Sequence, residues 1–353
     1  DNSIMTLIVE DLMMQEKRVR PITFMVIALV ALGVAGIVYQ HNAGSAELYV
    51  IREFLMDTVV EIQVPKRHQT AARQAVVRLR ELARIFDPET GEIAQINATL
   101  EPVPVSQEVY DLFEQVLTYA SLVEGSFDVG LGALVELWDF TGSNPQVPDM
   151  EALEAARAAW QPMAFRLDPE KRTVQRTHAG VKLELGGVAK GFIVDETVAS
   201  LRAQGVDSGL VNAGGDLFTI GGRPTGGPWR IAVRHPRNAS GVLGVLRVED
   251  RAVATSGDYQ RYFIQDGQRY HHILDPQTGW PADQCISVTV ITGSVTLADL
   301  LATAAFVLGP EAGMALIEGV PATEGIIVDW QGRVHLSGGL DPAQWPPRIE
   351  VTE

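Results

Sequence analysis

The sequence contains a single cysteine, Cys285, and this scarcity excludes two kinds of site. One thiol forms no internal disulfide, and it supplies too few ligands for a thiolate zinc cluster. The sequence also lacks the HExxH and CxxC motifs and any recognisable Ser-His-Asp or Cys-His order. We interpret Cys285 as a small buried residue next to a strand.

Positive charge is also scarce, with 28 lysines and arginines against 44 aspartates and glutamates and a formal net charge of −16. Nucleic-acid binding requires a basic surface that neutralises backbone phosphates. The charge balance therefore argues against nucleic acid as a partner. It leaves open a small anionic ligand held in a local pocket.

A long uncharged run stands near the start of the chain, at residues 22–39. Its length is at the short end for a membrane-spanning helix and long for the core of a signal peptide. Lys17, Arg18 and Arg20 precede the run, and the next basic residue after it is Arg52. Under the positive-inside rule, this pattern places the N-terminus in the cytoplasm.

The run and its flanking charges predict four segments. Residues 1–20 form a cytoplasmic segment, residues 21–40 a single-pass anchor in the inner membrane, residues 41–47 a polar linker, and residues 48–353 a periplasmic (extracytoplasmic) domain. Small residues at 43–46 keep a cleaved signal peptide open as the alternative.

The part of the chain from residue 48 onward alternates strand-like and helix-like patterns. Short β-rich runs, some with period-2 alternation, predict strands at 48–54, 58–64, 165–167, 173–176, 182–185, 210–212, 217–220, 229–234, 244–248, 262–265 and 287–291. Helical spacing predicts helices at 66–86, 106–123, 149–160, 188–203, 296–308 and 312–318. The strands are often hairpin-like, so we predict an α+β fold with mixed, mostly antiparallel sheets and packed helices.

A nearly all-apolar segment at 296–309 contains three polar residues, Thr296, Asp299 and Thr303. On a helix Asp299 and Thr303 lie one turn apart on the same face. A carboxylate among apolar side chains requires a partner, and two hard oxygens on one face suit Mg²⁺. The alternative is a helix start with Thr296 as the N-cap and Asp299 as the third residue of an imperfect capping box. A cap can also present ligands, so the two interpretations are compatible.

A glycine pair, Gly186 and Gly187, lies between a predicted strand and a predicted helix in the motif ELGGVAKG. Paired glycines let the backbone approach a ligand, and the free N–H groups of the following helix favour an anion. Lys190 in the first helical turn opposes the helix dipole, so its position is better explained if an anion such as a diphosphate binds there. The alternative is a tight turn with a surface lysine.

Two further loops hold candidate cofactor-binding residues. The motif NAGGD places Asn212, Gly214, Gly215 and Asp216 after a strand, although such turns are common without any ligand. The motif SFDVG follows the helix at 106–123 and places Asp128 near a pocket rim. The alternative for Asp128 is a solvated aspartate in an ordinary loop.

Two adjacent histidines, His271 and His272, precede the turn motif DPQTG. Adjacent side chains on a strand face opposite ways, so at most one of them faces a given pocket. The turn places His272 near a strand end, where a neutral imidazole can act as general base for a hydroxyl. A structural histidine is the alternative.

Seven motifs, taken in order, resemble those of the ApbE family, the FAD:protein FMN transferases. They are LMDT near Met56, FDVGLGALVELW at 127–138, ELGGVAKGFIVD at 184–195, LVNAGGDL at 210–217, SGDYQRYF at 256–263, HHILDPQTG at 271–279 and TLADLLAT at 296–303. Each motif alone is weak, but seven in sequence are highly specific. The resemblance extends from about residue 48 to residue 327, and it implies an ApbE-like fold.

The resemblance also implies a reaction and a set of site residues. An enzyme of this kind takes FAD with Mg²⁺, moves FMN to a Thr or Ser hydroxyl of a target protein and releases AMP. The expected acceptor is a membrane redox subunit that carries covalent FMN. Side chains of Asp299 and Thr303 would bind Mg²⁺ with the Gly187 carbonyl, Thr296 would be a metal neighbour, and Asp299 and His272 would be catalytic, with His272 as the base. FAD contacts are implied at Met56, Asp87, Ser126, Phe127, Asp128, Glu184, Lys190 and Leu274.

The sequence departs from the family pattern at three places. Met56-Asp57-Thr58 stands where the family usually has Met-Gly-Thr, Glu184 stands where some relatives have Asp, and Asp87 stands where relatives often have an aromatic residue. Two rival functions use the same residues. One is an Mg²⁺-dependent FAD diphosphatase that passes FMN to water, and the other is a non-catalytic flavin-binding accessory module of a redox complex.

Overall fold

A computed structural model describes residues 47–123, 125–140, 142 and 145–351 of the chain. The strands are β1 (Leu48–Leu55), β2 (Thr58–Pro65), β3 (Val103–Pro104), β4 (Phe165–Asp168), β5 (Thr173–Arg176), β6 (Gly209–Ala213), β7 (Asp216–Ile220), β8 (Trp229–Arg234), β9 (Val242–Val248), β10 (Arg251–Gly257), β11 (Tyr262–Gln265), β12 (Gln268–His271), β13 (Cys285–Thr292), β14 (Glu324–Asp329) and β15 (Val334–Leu336). The helices are α1 (Gln69–Ile85), α2 (Glu92–Asn97), α3 (Gln107–Val123), α4 (Gly132–Trp138), α5 (Met150–Ala159), α6 (Ala189–Ala203) and α7 (Val295–Gly319). The predicted cytoplasmic segment and anchor lie outside the described residues.

Eight strands form the central sheet, in the order β1-β2-β6-β7-β10-β13-β14-β15, and each neighbouring pair is antiparallel. Successive side chains of a strand point to opposite faces. In β10, Ala252 and Ala254 pack on the helix-covered side, whereas Val253 packs on the other side. Both faces of the middle strands are therefore buried, and all residues of β13 are buried. Smaller sheets are formed by β3-β5-β4, β8-β9 and β11-β12.

Helices α1, α6 and α7 cover one face of the central sheet. By length and composition α7 is apolar enough to cross a membrane, but here it packs on β10, β13 and β14 as a core helix. Gly309, with a φ of 82°, interrupts α7 and is followed by Pro310, which has no N–H to continue the ladder. The two stretches on either side match the helices predicted at 296–308 and 312–318.

The β8–β9 hairpin and the C-terminal segment cover the opposite face of the sheet. Trp229 and Leu246 of the hairpin pack with Val253, and Trp345 of the C-terminal segment lies over Gly244. A Cβ atom at Gly244 would overlap the Trp345 ring, so this close packing requires glycine.

A smaller apolar cluster holds the loops at one end of the sheet. Trp138 of α4 is fully buried, and its Nε1 atom donates to the Gly279 carbonyl at 2.9 Å. Its ring meets Trp280 edge-on, with centroids 5.2 Å apart, and Leu274 belongs to the same cluster. The segment after β12, which contains His272, is therefore held against α4.

The predicted α+β fold with mostly antiparallel sheets is confirmed, and two local predictions are wrong. Residues 182–185 are not a ladder strand of the described fold, because the Asn97 side chain takes the place of a neighbouring strand. Its amide donates to the Leu183 carbonyl and accepts from the Leu183 N–H, both at 2.8 Å. The N-cap of α7 is Ser294 rather than Thr296, since Ser294 Oγ accepts from the Leu297 N–H.

Candidate functional site

A cavity of about 500 Å³ opens where loops of the central sheet meet the N-terminal ends of α6 and α7. Its wall combines the β1–β2 turn, the loop before α4, the segment before α6, the β6–β7 turn, the end of β10 and the segment after β12. Ligand sites are typically concave, with a few polar groups at fixed positions. The polar groups of this wall are therefore the candidates for chemistry.

Asp299 and Thr303 line the cavity from successive turns of α7. The Asp299 side chain is buried, and within the described residues its Oδ2 atom has no hydrogen-bond partner. Burial raises the pKa of Asp299 against the opposing effect of Lys190. A buried carboxylate oxygen without a hydrogen bond is costly, so this atom favours a cation in the cavity.

The backbone at Gly187 passes close to Thr303 on the same wall. A Cβ atom at Gly187 would lie 3.7 Å from Thr303 Oγ1 and 3.0 Å from Cε2 of the Phe127 ring. The second distance is too short for comfortable packing, so a side chain here would displace Phe127. The fold therefore brings three of the four predicted metal-binding residues, Gly187, Asp299 and Thr303, to one wall.

Lys190 lies between two of the acidic groups of the cavity, Asp216 and Asp299. Its Nζ atom contacts Asp216 and lies 3.6 Å from Asp299 Oδ2. Burial acts to lower the pKa of Lys190, but Asp216 and Asp299 raise it overall, so the ammonium keeps its charge. One ammonium between two carboxylates leaves an excess of negative charge, which a further cation would offset.

The glycine turn before α6 is closed by the side chain of Glu184, whose Oε1 atom accepts from the Gly186 N–H at 2.7 Å. Burial raises the pKa of Glu184. Val188, the N-cap residue of α6, makes no side-chain capping bond within the described structure. The first N–H groups of α6 therefore rely on partners from outside the helix.

Asp128 fixes the loop that precedes α4. Its Oδ1 atom accepts from the Gly130 N–H at 2.5 Å, and its Oδ2 atom accepts from the Met163 N–H at 2.7 Å. The side chain is buried, and burial raises its pKa. The alternative of a solvated aspartate is therefore wrong. Ser126 and Phe127 line the cavity from the same loop.

His272 lines the cavity, whereas His271 points the other way. His271 Nε2 lies 2.8 Å from the Ala282 carbonyl oxygen, and its Nδ1 atom accepts from the Ile273 N–H. The Nδ1 atom of His272 has no hydrogen-bond partner among the described residues. Burial, with smaller effects of His271 and Arg261, lowers the pKa of His272 to about 3, so the ring is neutral at pH 7.

Thr296, the fourth predicted metal residue, lies outside the cavity lining. Its side chain is fully buried, and its hydroxyl donates to Asp195 Oδ2 at 2.7 Å. The hydroxyl is thus engaged with α6 rather than with the cavity.

Three predicted cofactor contacts also lie outside the cavity lining: Asp87, Asn212 and Gly215. Asp87 Oδ1 accepts from Thr90 Oγ1 and the Thr90 N–H, both at 2.7 Å, which closes its own loop. Asn212 Oδ1 accepts from the Gly215 N–H at 2.8 Å, so these two residues stabilise the β6–β7 turn. The remaining predicted contacts line the cavity: Met56, Ser126, Phe127, Asp128, Glu184, Lys190, Gly214, Asp216 and Leu274.

Several cavity residues were not singled out from the sequence. Ser256, Tyr259 and Arg261 line the cavity and belong to the motif SGDYQRYF. The place of this motif in the order of the family motifs is the sequence feature that points to them. The Arg261 carbonyl accepts from the His272 N–H at 3.1 Å, which ties this motif to the histidine. Burial raises the pKa of Tyr259 to about 12, so its hydroxyl stays protonated.

Comparison with protein families gives one match over most of the chain. The ApbE family matches residues 56–327. A FAD:protein FMN transferase of Treponema pallidum (strain Nichols) is 34% identical over 316 residues, which cover 83% of this chain and 87% of the relative. A FAD:protein FMN transferase of Klebsiella pneumoniae (strain 342) is 35% identical and is matched over 76% of its length by 69% of this chain.

Solved structures match the fold as well. The ApbE protein of Thermotoga maritima superposes with a TM-score of 0.77 at 35% identity, covering 83% of this chain and 98% of the other. The flavin transferase ApbE of Vibrio cholerae superposes with a TM-score of 0.74 at 30% identity, with the same coverage.

Proposed function

The chain belongs to the ApbE family, and from this premise we propose that it transfers FMN from FAD to a hydroxyl group of a target protein. The relatives described above are named FAD:protein FMN transferases, which supports the reaction class. The finer terms of the proposal are Mg²⁺ dependence, a Thr or Ser acceptor, and AMP as the released product. The chemistry of the cavity supports the first of these terms, and the acceptor and the product are what the family resemblance implies.

Divalent-cation binding is supported by the buried Asp299 oxygen that makes no hydrogen bond in the described part of the chain. Within the described residues, Asp299 Oδ2 is buried without a hydrogen bond, and Thr303 lies on the same face one turn away. A carboxylate, a hydroxyl and the Gly187 carbonyl are hard oxygen ligands of the kind that Mg²⁺ prefers, and these three residues would hold it. When bound, the cation withdraws charge from the diphosphate of FAD.

Diphosphate binding is supported by the N-terminal end of α6 and by Lys190. The glycine turn and Lys190 line the cavity at the N-terminal end of this 15-residue helix, and the positive end of the helix dipole favours anions. Lys190 retains its ammonium beside Asp216 and Asp299. We infer that this ammonium contacts the phosphate oxygens of bound FAD.

In the proposed reaction, the acceptor hydroxyl oxygen attacks the phosphorus that carries the flavin side of FAD. A new P–O bond forms to the acceptor, the bond from that phosphorus to the bridging oxygen breaks, and AMP leaves with the bridging oxygen. The hydroxyl proton passes to a ring nitrogen of His272, which is neutral and therefore able to accept it. The negative charge of the diphosphate raises the proton affinity of this ring when FAD is bound.

One observation carries the proposal: a buried carboxylate with an oxygen that makes no hydrogen bond within the described residues, an ammonium and a neutral histidine face one cavity. The test mixes the purified full chain with FAD, Mg²⁺ and a candidate acceptor domain. The acceptor's intact mass and the released nucleotide are measured. We expect the acceptor to gain one FMN on a Thr or Ser, with an equal amount of AMP.

The two rival functions give different products in the same experiment. AMP and free FMN without any gain in acceptor mass, over a series of acceptor domains, would favour the diphosphatase. Tightly bound, intact FAD with neither product would favour the non-catalytic flavin-binding module.

We further propose that residues 21–40 anchor the protein in the inner membrane, with residues 48–353 on the periplasmic side facing membrane redox subunits. The uncharged run at 22–39 and the preceding basic residues support this orientation. Membrane fractionation and protease accessibility in spheroplasts test it. Recovery of the full-length chain in a soluble fraction, without detergent, would contradict the anchor.

A further inference from the structure

Helices α6 and α7 cross at Gly191 with their backbones nearly in contact. A Cβ atom at Gly191 would lie 2.6 Å from the Val295 carbonyl oxygen and 2.8 Å from Thr296 Cα. Such distances leave no room for a side chain, so the crossing brings the first turns of the two helices together. The first turn of α6 carries Lys190, and Asp299 directly follows the first turn of α7.

Asp195 of α6 caps the N-terminus of α7. Its Oδ1 atom accepts from the Val295 N–H at 2.9 Å, and its Oδ2 atom accepts from the Thr296 N–H at 2.9 Å. Oδ2 also accepts from the hydroxyls of Ser294, at 2.8 Å, and Thr296, at 2.7 Å. One carboxylate thus satisfies four donors at the start of α7, where backbone N–H groups have no partner within the helix.

The second aspartate of the crossing is Asp299 of α7. It lies close enough to the Gly191 N–H, in the first turn of α6, for this donor to lower its pKa against the larger raising effect of burial. Each helix therefore brings an aspartate near the N-terminal end of the other. The two aspartates differ in one respect, since Asp299 lines the cavity and Asp195 does not.

We propose that Asp195 is a positioning residue that fixes the first turn of α7 against α6 and thereby sets the affinity of the Asp299–Thr303 pair for a divalent cation. This inference rests on the proposed function, because it concerns the same cation. Ser294 still caps α7 through the Leu297 N–H when Asp195 is changed. The helix therefore persists, but its placement relative to Gly187 and Lys190 is no longer fixed.

The test compares Asp195→Asn with a matched control, Asp149→Asn. Asp149 is also a capping aspartate, since it accepts from the Glu151 and Ala152 N–H groups of α5, and it does not line the cavity. Mg²⁺ binding is measured by calorimetric titration of each full-length protein, and thermal unfolding is measured with EDTA and with Mg²⁺. The rise in Tm that Mg²⁺ produces reports binding to the folded state.

We expect Asp195→Asn to raise the Kd for Mg²⁺ at least tenfold and to reduce the Mg²⁺-dependent rise in Tm. Asp149→Asn should lower Tm equally in EDTA and in Mg²⁺, with an unchanged Kd. If both variants have a lower Tm but bind Mg²⁺ with the Kd of the parent, Asp195 is only a structural cap and the inference is overturned.

A second variant keeps the inference testable if Asp195→Asn does not fold. Ser294→Ala removes one of the four donors to Asp195, and we expect it to raise the Kd for Mg²⁺ several-fold. A parent-like Kd in Ser294→Ala would then overturn the inference. Failure of the proposed function looks different, because the unchanged parent would itself show neither Mg²⁺ binding nor FMN transfer.

Discussion

The hydroxyl of Ser256 lies 3.1 Å from the hydroxyl of Thr303, where the end of β10 meets α7. Both residues line the cavity. A hydrogen bond on one side of a hydroxyl fixes its orientation and leaves a lone pair free on the other side. Ser256 therefore orients the Thr303 hydroxyl for the proposed cation.

Ser256→Ala removes this orienting bond, and we expect the Mg²⁺ concentration for half-maximal transfer to rise about fivefold, since one hydrogen bond contributes ~1 kcal/mol. Transfer rates measured over a range of Mg²⁺ concentrations check this. Thr292→Val is the control, because it removes a similar hydroxyl pair with Thr323, 2.9 Å apart, and neither residue lines the cavity. An equal shift in both variants would contradict a specific role for Ser256.

Asp299→Asn leaves the shape of the side chain but removes its charge. We expect FMN transfer to fall at least ~100-fold, because the site loses the carboxylate that balances the cation. The fall should be only partly recovered at high Mg²⁺. Asp207→Asn, at an exposed ion pair with Arg67, is the control and should transfer like the parent. Full activity of Asp299→Asn would refute the cation assignment.

His272→Gln should bind FAD with nearly parental affinity and lose about 10²–10⁴-fold in transfer rate, the usual contribution of a general base. Flavin fluorescence measures the binding, and acceptor mass measures the transfer. His271→Gln should instead lower stability, since His271 is buried next to the Ala282 carbonyl. Loss of FAD binding in His272→Gln, in parallel with transfer, would assign His272 a structural role.

The depressed pKa of His272 predicts a pH-dependent stability. Burial lowers this pKa from 6.5 to about 3, so the unfolded chain binds a proton that the folded chain does not. The stability that the neutral His272 ring contributes to the folded state is therefore fully present above pH 6.5 and is lost as the pH falls towards 3. Denaturant unfolding without FAD should show a smaller decrease between pH 6.5 and pH 4 in His272→Gln than in the parent. An identical dependence of the unfolding free energy on pH in the two proteins would contradict the lowered pKa of His272.

Gly191→Ala should destabilise the fold by about 1–3 kcal/mol, because the added methyl group meets the backbone of α7. Gly293→Ala is the control two residues before α7, where an added Cβ atom meets nothing within 4 Å. Its change in unfolding free energy should stay within about 0.5 kcal/mol. Equal values for the two variants would show that the helix crossing is not tightly packed.

The sequence predicted elements well where one strong pattern was sufficient. The apolar run at 296–308 and the amphipathic spacing at 66–86 both correspond to observed helices. The sequence did not predict elements whose existence depends on pairing between strands rather than on the strand propensity of their own residues. The strand β10 contains small residues such as Ala252 and Ala254, and it exists because β7 and β13 pair with it on both sides.

The cavity residues that could be predicted are those whose motifs suggest cation binding, diphosphate binding or proton transfer. Gly187, Lys190, His272, Asp299 and Thr303 come together as expected. Thr296 has the same polar character as Thr303, but its hydroxyl is bound by an aspartate from another helix. No local sequence pattern distinguishes the two threonines. The difference arises from tertiary packing, because α6 lies against the side of α7 that carries Thr296 and the cavity lies beside Thr303.

The capping of α7 by Asp195 of α6 also constrains how this sequence can change over generations. Asp195 and Ser294 lie 99 residues apart in the chain, yet they form one hydrogen-bonded unit. A recombination event that replaced one helix with a divergent counterpart would separate donors from acceptors. We therefore expect the two helices to be inherited together, and productive chimaeras between relatives to have their junctions outside residues 189–303.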